Sequence, residues 1–234
     1  RRSGYSHGIM TVPLSIPPEG VSKSERARIE AMLVFEQQAF ESAFRRVAGV
    51  DEAGRGPLAG PLMAGAVVLA RAVPGLDDSK RLTEARREAL FEELLAGGHA
   101  VGVGVVEAGE LDRIGVQRAN YTAMARAVAA LEPPPDFLLV DGFNLPGMPQ
   151  PCLRIIKGDQ RSLSIAAASI IAKVTRDRRM AELERKYPGY GFGQHKGYGT
   201  AAHLAALKAL GPCPEHRRSF APLADESRDE GMLV

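Results

Sequence analysis

An apolar, strand-like run from Arg45 to Val50 ends in two adjacent carboxylates, Asp51 and Glu52, and a Gly-Arg-Gly turn follows at positions 54–56. A second apolar run covers 62–70, so the acidic pair is predicted where one strand gives way to a tight connection. Neighbouring side chains of a strand point to opposite faces, so the two acids share a site only if the chain bends there. Glycine permits that bend, and the arrangement is typical of metal and phosphate chemistry.

The rest of the chain predicts an α/β domain with a mixed sheet flanked by helices and a helical C-terminal part. Predicted strands cover 46–52, 62–70, 100–106, 137–140 and 152–157. Predicted helices cover 24–44, 82–95, 116–131, 160–186 and 200–210. We expect a disordered segment over 1–22, a leading amphipathic helix over 23–44, one catalytic domain over 45–222 and an acidic flexible tail over 223–234.

The cysteines and the lengths of the apolar runs limit the compartment in which the protein is expected. The chain has 234 residues and two cysteines, Cys152 and Cys213, which lie far apart and form no CxxC motif. Two reduced thiols therefore fit better than a disulfide or a zinc site. No apolar run approaches the ~20 residues of a membrane helix. The first residues lack the apolar region of a signal peptide, so we expect a cytoplasmic protein that does not bind membranes.

Positive charge is concentrated in the last third of the chain. Residues 154–220 carry 13 Lys or Arg against 5 Asp or Glu, although the net charge of the whole chain is only +2. Such a cluster is typical of a protein that binds a polyanion. A solvated helix face gives the same count, and the sequence does not separate the two interpretations.

Asp51, Glu52, Asp141 and Asp159 each stand at the end of a strand-like segment near glycine, which makes them candidates for one cluster. Crowded carboxylates raise one another's pKa values unless cations neutralise them, and Mg²⁺ or Mn²⁺ is the natural partner for oxygen ligands. Taken singly, each acid is better explained as a helix cap or a solvated loop charge. Asp177 lies within a predicted helix among arginines, so an ion-pairing role is expected for it.

The motifs together resemble those of the type 2 ribonucleases H, the bacterial ribonuclease HII enzymes. The resemblance covers roughly residues 45–222. Its blocks are Asp51 to Pro61, Asp78-Ser79-Lys80, Val140-Asp141-Gly142, Lys157-Gly158-Asp159, Ala167 to Asp177, His195 to Tyr198 and His216 to Phe220.

The resemblance implies a ribonuclease H-like fold with a five-stranded sheet and an endoribonuclease acting on RNA–DNA hybrids and ribonucleotide-containing duplex DNA. It implies Asp51, Glu52 and Asp141 as the metal-binding core and Asp159 as the fourth catalytic acid. Two divalent ions would activate water and stabilise the leaving 3′-oxygen. The enzyme is expected to be a monomer, and its protein partners are left open.

Several residues are candidates for substrate contacts. Gly54 and Gly56 let the backbone approach a 2′-hydroxyl, the group that distinguishes RNA from DNA, and Arg55 has a fork suited to phosphate. By resemblance, Tyr198 senses the junction between the ribonucleotide and the DNA that follows. The remaining candidates are phosphate contacts that fit surface polar groups equally well: Ser79, Lys80, Ser169, Lys173 and Arg217.

Two other functions remain open at this point. A nuclease or strand-transferase of the same fold would cleave without depending on ribose. A nucleic-acid-binding module without catalysis would bind and not cut, although the presence of all four acids argues against it. The histidines do not have metal-ligand spacing, and His203 on the last helix is expected to face solvent.

Overall fold

The computed structural model describes residues 14–17 and 20–224. Its centre is a five-stranded sheet in the order β3-β2-β1-β4-β5. The strands are β1 (Val47–Ala53), β2 (Leu62–Val68), β3 (Ala100–Val106), β4 (Phe137–Asp141) and β5 (Cys152–Ile155). β2 runs antiparallel to both β1 and β3, whereas β4 and β5 run parallel to β1. The predicted mixed sheet is confirmed.

The helices flank this sheet and dominate the C-terminal part, as expected. They are α1 (Lys23–Met32), α2 (Val34–Glu41), α3 (Glu84–Ala96), α4 (Ala108–Ile114), α5 (Val116–Ala129), α6 (Leu163–Lys186), α7 (Phe192–His195) and α8 (Ala201–Leu210). The single leading helix predicted over 24–44 is wrong in one respect. Leu33, with φ −93° and ψ 1°, separates α1 from α2, and burying Leu33 beside Ile29 and Met32 accounts for the break.

Two helical layers cover the sheet. The side chains of α6 pack with those of α3 and α1 on one face, and α5 packs on the other, so that β2 is buried along its whole length. Gly49 and Gly65 face α6, where a Cβ on either residue would overlap the helix backbone at Ser164 or Ala168. These two glycines therefore let α6 lie directly against the strands that carry the acidic pair.

The chain ends are only partly described. Leu14 and Ile16 pack against the core, and the Ala72 N–H donates to the Ser15 carbonyl at 3.0 Å. Both apolar side chains are partly buried, so this part of the segment predicted to be disordered is packed against the core. Residues 1–13, 18–19 and most of the predicted acidic tail lie outside the described residues, and the domain boundaries stay predictions. No helix in the described ranges is long and apolar enough to cross a bilayer.

Candidate active site

The ends of β1 and β4 bring the predicted acids together. Val50 is paired with Val140, so Asp51 and Asp141 follow at the same edge of the sheet. The Gly158 N–H donates to Asp141 Oδ1 at 2.5 Å, and this bond holds the short 3₁₀ helix Gly158–Gln160 against β4. Asp159 lies on that helix. We call Asp51, Glu52, Asp141 and Asp159 the acidic wall.

Burial and mutual repulsion raise the pKa values of the acidic wall. Burial, Glu52 and Asp141 raise the pKa of Asp51 well above its ordinary value, and the side chain is only 6% exposed. Burial and Asp141 raise the pKa of Glu52 to about 7. Burial, then Asp78 and Asp141, raise the pKa of Asp159 to about 6. Full ionisation of the wall therefore requires nearby positive charge.

Lys80 supplies part of that charge. Burial lowers the pKa of Lys80, but Asp51, Asp78, Asp159 and Asp141 together outweigh it, so the pKa is raised. Its ammonium also counteracts the rise in the pKa of Glu52 and Asp159. A single lysine does not neutralise four carboxylates, so the site retains an excess of negative charge.

The residues present fit a hard divalent cation. The wall offers oxygen ligands, and Glu52 Oε2 is buried without a hydrogen-bond partner among the described residues. Asp51 Oδ1 already accepts the Glu52 N–H at 2.8 Å, and Asp141 Oδ1 accepts the Gly158 N–H. Within residues 14–17 and 20–224, no three Asp, Glu, His or Cys side chains already form a ligand set. Binding an ion would therefore require the carboxylates to turn toward it.

A fifth acid, Asp78, belongs to this site and was missed from the sequence. Its Oδ1 accepts the Lys80 N–H at 2.9 Å, and its Oδ2 accepts Gln160 Nε2 at 3.2 Å. It also hydrogen-bonds Asp159 and raises the pKa of that carboxyl. The available signal was its place in the Asp-Ser-Lys block, from which only Ser79 and Lys80 were selected.

Asp51 and Glu52 of the acidic wall line a cleft of about 280 Å³ together with most of the predicted substrate residues, whereas Asp141 and Asp159 are not part of its lining. The predicted residues on its lining are Asp51, Glu52, Gly54, Arg55, Gly56, Ser79, Lys80, Ser169, Lys173 and Tyr198. We call Gly54–Gly56 the glycine turn. A Cβ on Gly56 would lie 4.0 Å from Tyr198 Cε1, so the tyrosine ring lies beside this turn, with the residue 49% exposed.

The backbone conformation of the glycine turn requires a glycine at position 54. Its φ of +90° lies in the region that favours glycine, and a Cβ there would overlap the Arg176 side chain. The neighbouring Arg55 guanidinium lies 4.6 Å from the centre of the Phe143 ring. Stacking leaves the Arg55 Nε buried, without a hydrogen-bond partner in the described part of the chain.

The serines and Lys173 make contacts of their own. Ser79 Oγ and Ser169 Oγ lie 2.9 Å apart, and a hydrogen bond from Ser169 opposes the rise in the pKa of Asp51. The two serines therefore orient an acid of the wall. Lys173 Nζ lies 2.7 Å from Asp177 Oδ1, which confirms the ion-pairing role expected for Asp177.

Arg217 does not lie where the sequence predicted. We expected a phosphate contact, but the residue is 0% exposed. Its guanidinium donates to the carbonyls of Gly54 at 2.6 Å, Arg55 at 3.1 Å and Gly60 at 2.8 and 3.0 Å. Arg217 therefore supports the glycine turn from behind, because its donors are already engaged by backbone oxygens.

Arg176 is engaged in the same way, and one further expectation needs correction. Arg176, three residues after Lys173 on α6, is 2% exposed and donates to the carbonyls of Pro61, Lys196 and Ala59. His203, expected to face solvent, is 0% exposed and hydrogen-bonds His216. Burial of polar side chains on backbone carbonyls is not visible in a residue pattern.

Known proteins share this fold and much of this sequence. The family model described as Ribonuclease HII matches residues 48–223. A ribonuclease HII from Chlamydia trachomatis serovar A is 56% identical over 206 residues, which are 87% of this chain and 94% of that protein. The crystal structure of the ribonuclease H2 from Pyrococcus horikoshii OT3 is 28% identical, with a TM-score of 0.65 over 80% of this chain and 99% of that one.

A more distant structure shares the fold alone. The crystal structure of Bst-RNase HIII in complex with Mn²⁺ is 19% identical, with a TM-score of 0.60 over 79% of this chain and 70% of that one. The family match spans the acidic wall, the glycine turn and Tyr198, and the identity to a full-length relative exceeds half. This chain belongs to the ribonuclease HII family, the endoribonucleases that act on RNA–DNA hybrids.

Proposed function

We propose that this enzyme, besides hydrolysing the RNA strand of RNA–DNA hybrids, incises duplex DNA on the 5′ side of an embedded ribonucleotide and leaves 3′-hydroxyl and 5′-phosphate ends. The observation that supports the proposal is the shared cleft. Asp51 and Glu52 of the acidic wall line it together with the glycine turn and Tyr198. We therefore expect carboxylates and a surface suited to reading ribose to meet the same nucleotide.

The proposal includes two divalent ions, Mg²⁺ or Mn²⁺, held by Asp51, Glu52, Asp141 and Asp159. When bound, such ions make a water nucleophilic and stabilise the leaving 3′-oxygen. The protein's own part is to place four carboxylates near one another at one edge of the sheet. Asp78 orients Asp159 through a hydrogen bond and itself accepts a hydrogen bond from Gln160 Nε2. Ser169 orients Asp51.

Ribose recognition is assigned to the glycine turn. Gly54 and Gly56 leave the backbone open to close approach, and a 2′-hydroxyl both donates and accepts hydrogen bonds. Arg55, Lys80, Lys173, Ser79 and Ser169 line the cleft as candidate phosphate contacts. Arg217 is excluded from that role because its donors are bound to the carbonyls of the glycine turn.

Tyr198 is assigned to the junction where the ribonucleotide is followed by DNA. Its exposed ring beside Gly56 is free to stack on a sugar, a contact worth on the order of 1 to 3 kcal/mol. Tyr198→Ala is therefore expected to slow cleavage roughly tenfold to a hundredfold, and Tyr198→Phe to retain most activity. Initial rates on a single-ribonucleotide duplex and on a continuous hybrid check this, and equal Ala losses on both would contradict junction sensing.

The central experiment uses an end-labelled DNA duplex with one ribonucleotide, incubated with Mg²⁺, Mn²⁺ or EDTA. We expect one cut, 5′ to the ribonucleotide, only when a divalent ion is present. An all-DNA duplex of the same sequence is the substrate control, and the Asp51→Asn variant is the protein control. Cleavage of the all-DNA duplex would indicate a nuclease that does not read ribose, and binding without cleavage in Mn²⁺ would indicate a binding module.

We also propose a cytoplasmic monomer. Cys152 is exposed and Cys213 is buried, and both are free thiols, which suits a reducing compartment. Light scattering of the purified chain checks the oligomeric state, and a mass of about twice 25.0 kDa would contradict it.

A further inference from the structure

Two buried histidines lie beside Tyr198 and have no role in the proposed cleavage chemistry. His203 on α8 is 0% exposed and His216 is 2% exposed. Neither lines the cleft. Their rings are nevertheless connected through hydrogen bonds to the backbone of the tyrosine, and the direction of each bond follows from the chemistry of the atoms.

The chain of bonds begins at Cys213. Its backbone N–H, which can only donate, lies 3.0 Å from His216 Nδ1, so that nitrogen accepts. A neutral imidazole carries one proton, which must then be on His216 Nε2. That nitrogen lies 3.1 Å from His203 Nε2, which therefore accepts and leaves the His203 proton on Nδ1. His203 Nδ1 lies 2.9 Å from the Tyr198 carbonyl oxygen and donates to it.

Both rings are held in the neutral form that this sequence of bonds needs. Burial, with the neighbouring His203, lowers the pKa of His216 to about 4. Burial also lowers the pKa of His203. Protonating His203 would place two N–H groups against each other at the Nε2 atoms, and protonating His216 would place an Nδ1–H against the Cys213 N–H. The chain of bonds and the neutral rings are therefore mutually consistent.

The Tyr198 ring depends on its backbone for its position. Half of the residue is exposed, and the preceding Lys196 and Gly197 have φ values of 51° and 83°. The Gly197 carbonyl accepts the Leu58 N–H at 2.8 Å, and Arg176 donates to the Lys196 carbonyl. The Tyr198 carbonyl accepts the Thr200 N–H from its own turn, whereas the bond from His203 connects it to His216.

We infer that His203 and His216 are positioning residues that fix the Tyr198 backbone, and through it the ring beside the glycine turn. The kinetic consequence rests on the proposed role of Tyr198. The arrangement of protons does not depend on that role, so the two are tested separately. His203 should therefore carry its proton on Nδ1, and the effect of His203 on cleavage should depend on Tyr198.

The first test is nitrogen NMR of the full chain labelled with ¹⁵N-histidine at neutral pH, without substrate. We expect His203 to carry its proton on Nδ1 and His216 on Nε2. His99 and His195 are internal references, because backbone N–H groups donate to their Nδ1 atoms from Ala70 and Gly197 and leave their protons on Nε2. The His203→Asn variant assigns the His203 signal. Finding the His203 proton on Nε2 would overturn the inference whatever the enzyme cuts.

The second test measures cleavage of the single-ribonucleotide duplex. His203→Phe keeps an aromatic ring but no donor, whereas His203→Asn keeps an amide donor near the Nδ1 position. We expect a loss of about tenfold for Phe and recovery of most of that loss for Asn. His99→Phe is the matched control, because His99 bonds Ala70 and has no connection to Tyr198.

A double-variant cycle separates positioning from general damage to the fold. If His203 acts through Tyr198, the Tyr198→Ala/His203→Phe variant cleaves no more slowly than Tyr198→Ala alone. Losses that multiply, or an Asn variant no better than Phe, would overturn the positioning role. A parent enzyme that does not cut on the 5′ side of the ribonucleotide would instead contradict the proposed function. The NMR result would still decide the tautomers.

Discussion

The acidic wall and the glycine turn are held in place in opposite ways. The acidic wall consists of side chains that repel one another, and its four carboxyls all have raised pKa values. The glycine turn consists of backbone, and its carbonyls are held by the buried guanidinium of Arg217. In the proposed mechanism the wall is completed by cations, whereas the turn is preorganised by the protein alone.

This difference separates the two kinds of substitution that should damage the enzyme. Changes in the acidic wall should abolish chemistry and leave the fold intact. Changes behind the glycine turn should lower the stability of the fold and weaken recognition of the ribonucleotide. Four experiments test the comparison, in order of the free energy at stake.

The largest effect is expected for Asp51→Asn or Asp141→Asn. Each removes a ligand charge at almost constant volume, so turnover should fall by a factor on the order of 10³ or more. Circular dichroism and duplex binding, measured on the same sample, should remain close to those of the parent. Turnover within tenfold of the parent at saturating metal would show that the wall is not the metal centre.

The second-largest effect is expected for substitutions of Arg217, which supports the glycine turn. Arg217→Leu would leave the carbonyls of Gly54, Arg55 and Gly60 without their donor, which should lower the free energy of unfolding by about 3 kcal/mol or more. Arg217→Lys should fall between Leu and the parent, because an ammonium cannot reproduce the planar fork. Urea denaturation measures all three.

The matched control for Arg217 is Arg178→Leu. Arg178 bonds Glu88 and Glu92 with its side chain 46% exposed, and such surface pairs contribute about 1 kcal/mol or less. Equal losses for Arg217→Leu and Arg178→Leu would mean that the guanidinium behind the turn has no special role.

The same comparison explains what the sequence predicted and what it did not. The strands, the main helices and the acids of the wall were predictable, because apolar periodicity and carboxylates at strand ends show directly in the residues. The sequence predicts Arg217 as a phosphate contact and His203 as a solvent-exposed residue, and the structure corrects both. Arg217 donates to the Gly54 carbonyl, 163 positions away in the chain. His203 bonds the Tyr198 carbonyl, five positions earlier, and the His216 ring, and no apolar or charge pattern records bonds of this kind.

The third experiment tests whether the wall destabilises the metal-free protein. The pKa of Glu52 is raised from 4.5 to about 7, so the folded state retains its proton more strongly than the unfolded state does. The stability that Glu52 contributes is fully present below pH 4.5 and is lost as pH rises through 7. A Glu52→Gln variant has no such group to ionise.

In EDTA, the Gln variant should therefore gain stability relative to the parent between pH 4.5 and 8, by on the order of 2 kcal/mol. Comparing the two proteins at each pH cancels the titration of the histidines, which they share. Adding Mg²⁺ or Mn²⁺ at pH 8 should stabilise the parent more than the variant. A difference in stability that does not change with pH would refute the raised pKa.

The smallest effect is expected for a substitution of Lys173, which lines the same cleft. Its ammonium is paired with Asp177 at 2.7 Å, so a phosphate must compete with a carboxylate that is already bound. We expect Lys173→Ala to weaken binding only a few-fold, equally for hybrid and plain DNA, because phosphate contacts carry no information about the sugar. The slope of log affinity against log salt should become shallower by about 1. Lys208→Ala, on the exposed side of α8, is the control and should leave the slope unchanged. An unchanged slope for Lys173→Ala would mean that this lysine serves only its ion pair, and that the positive charge meeting the substrate at this point comes from Arg55 or Lys80.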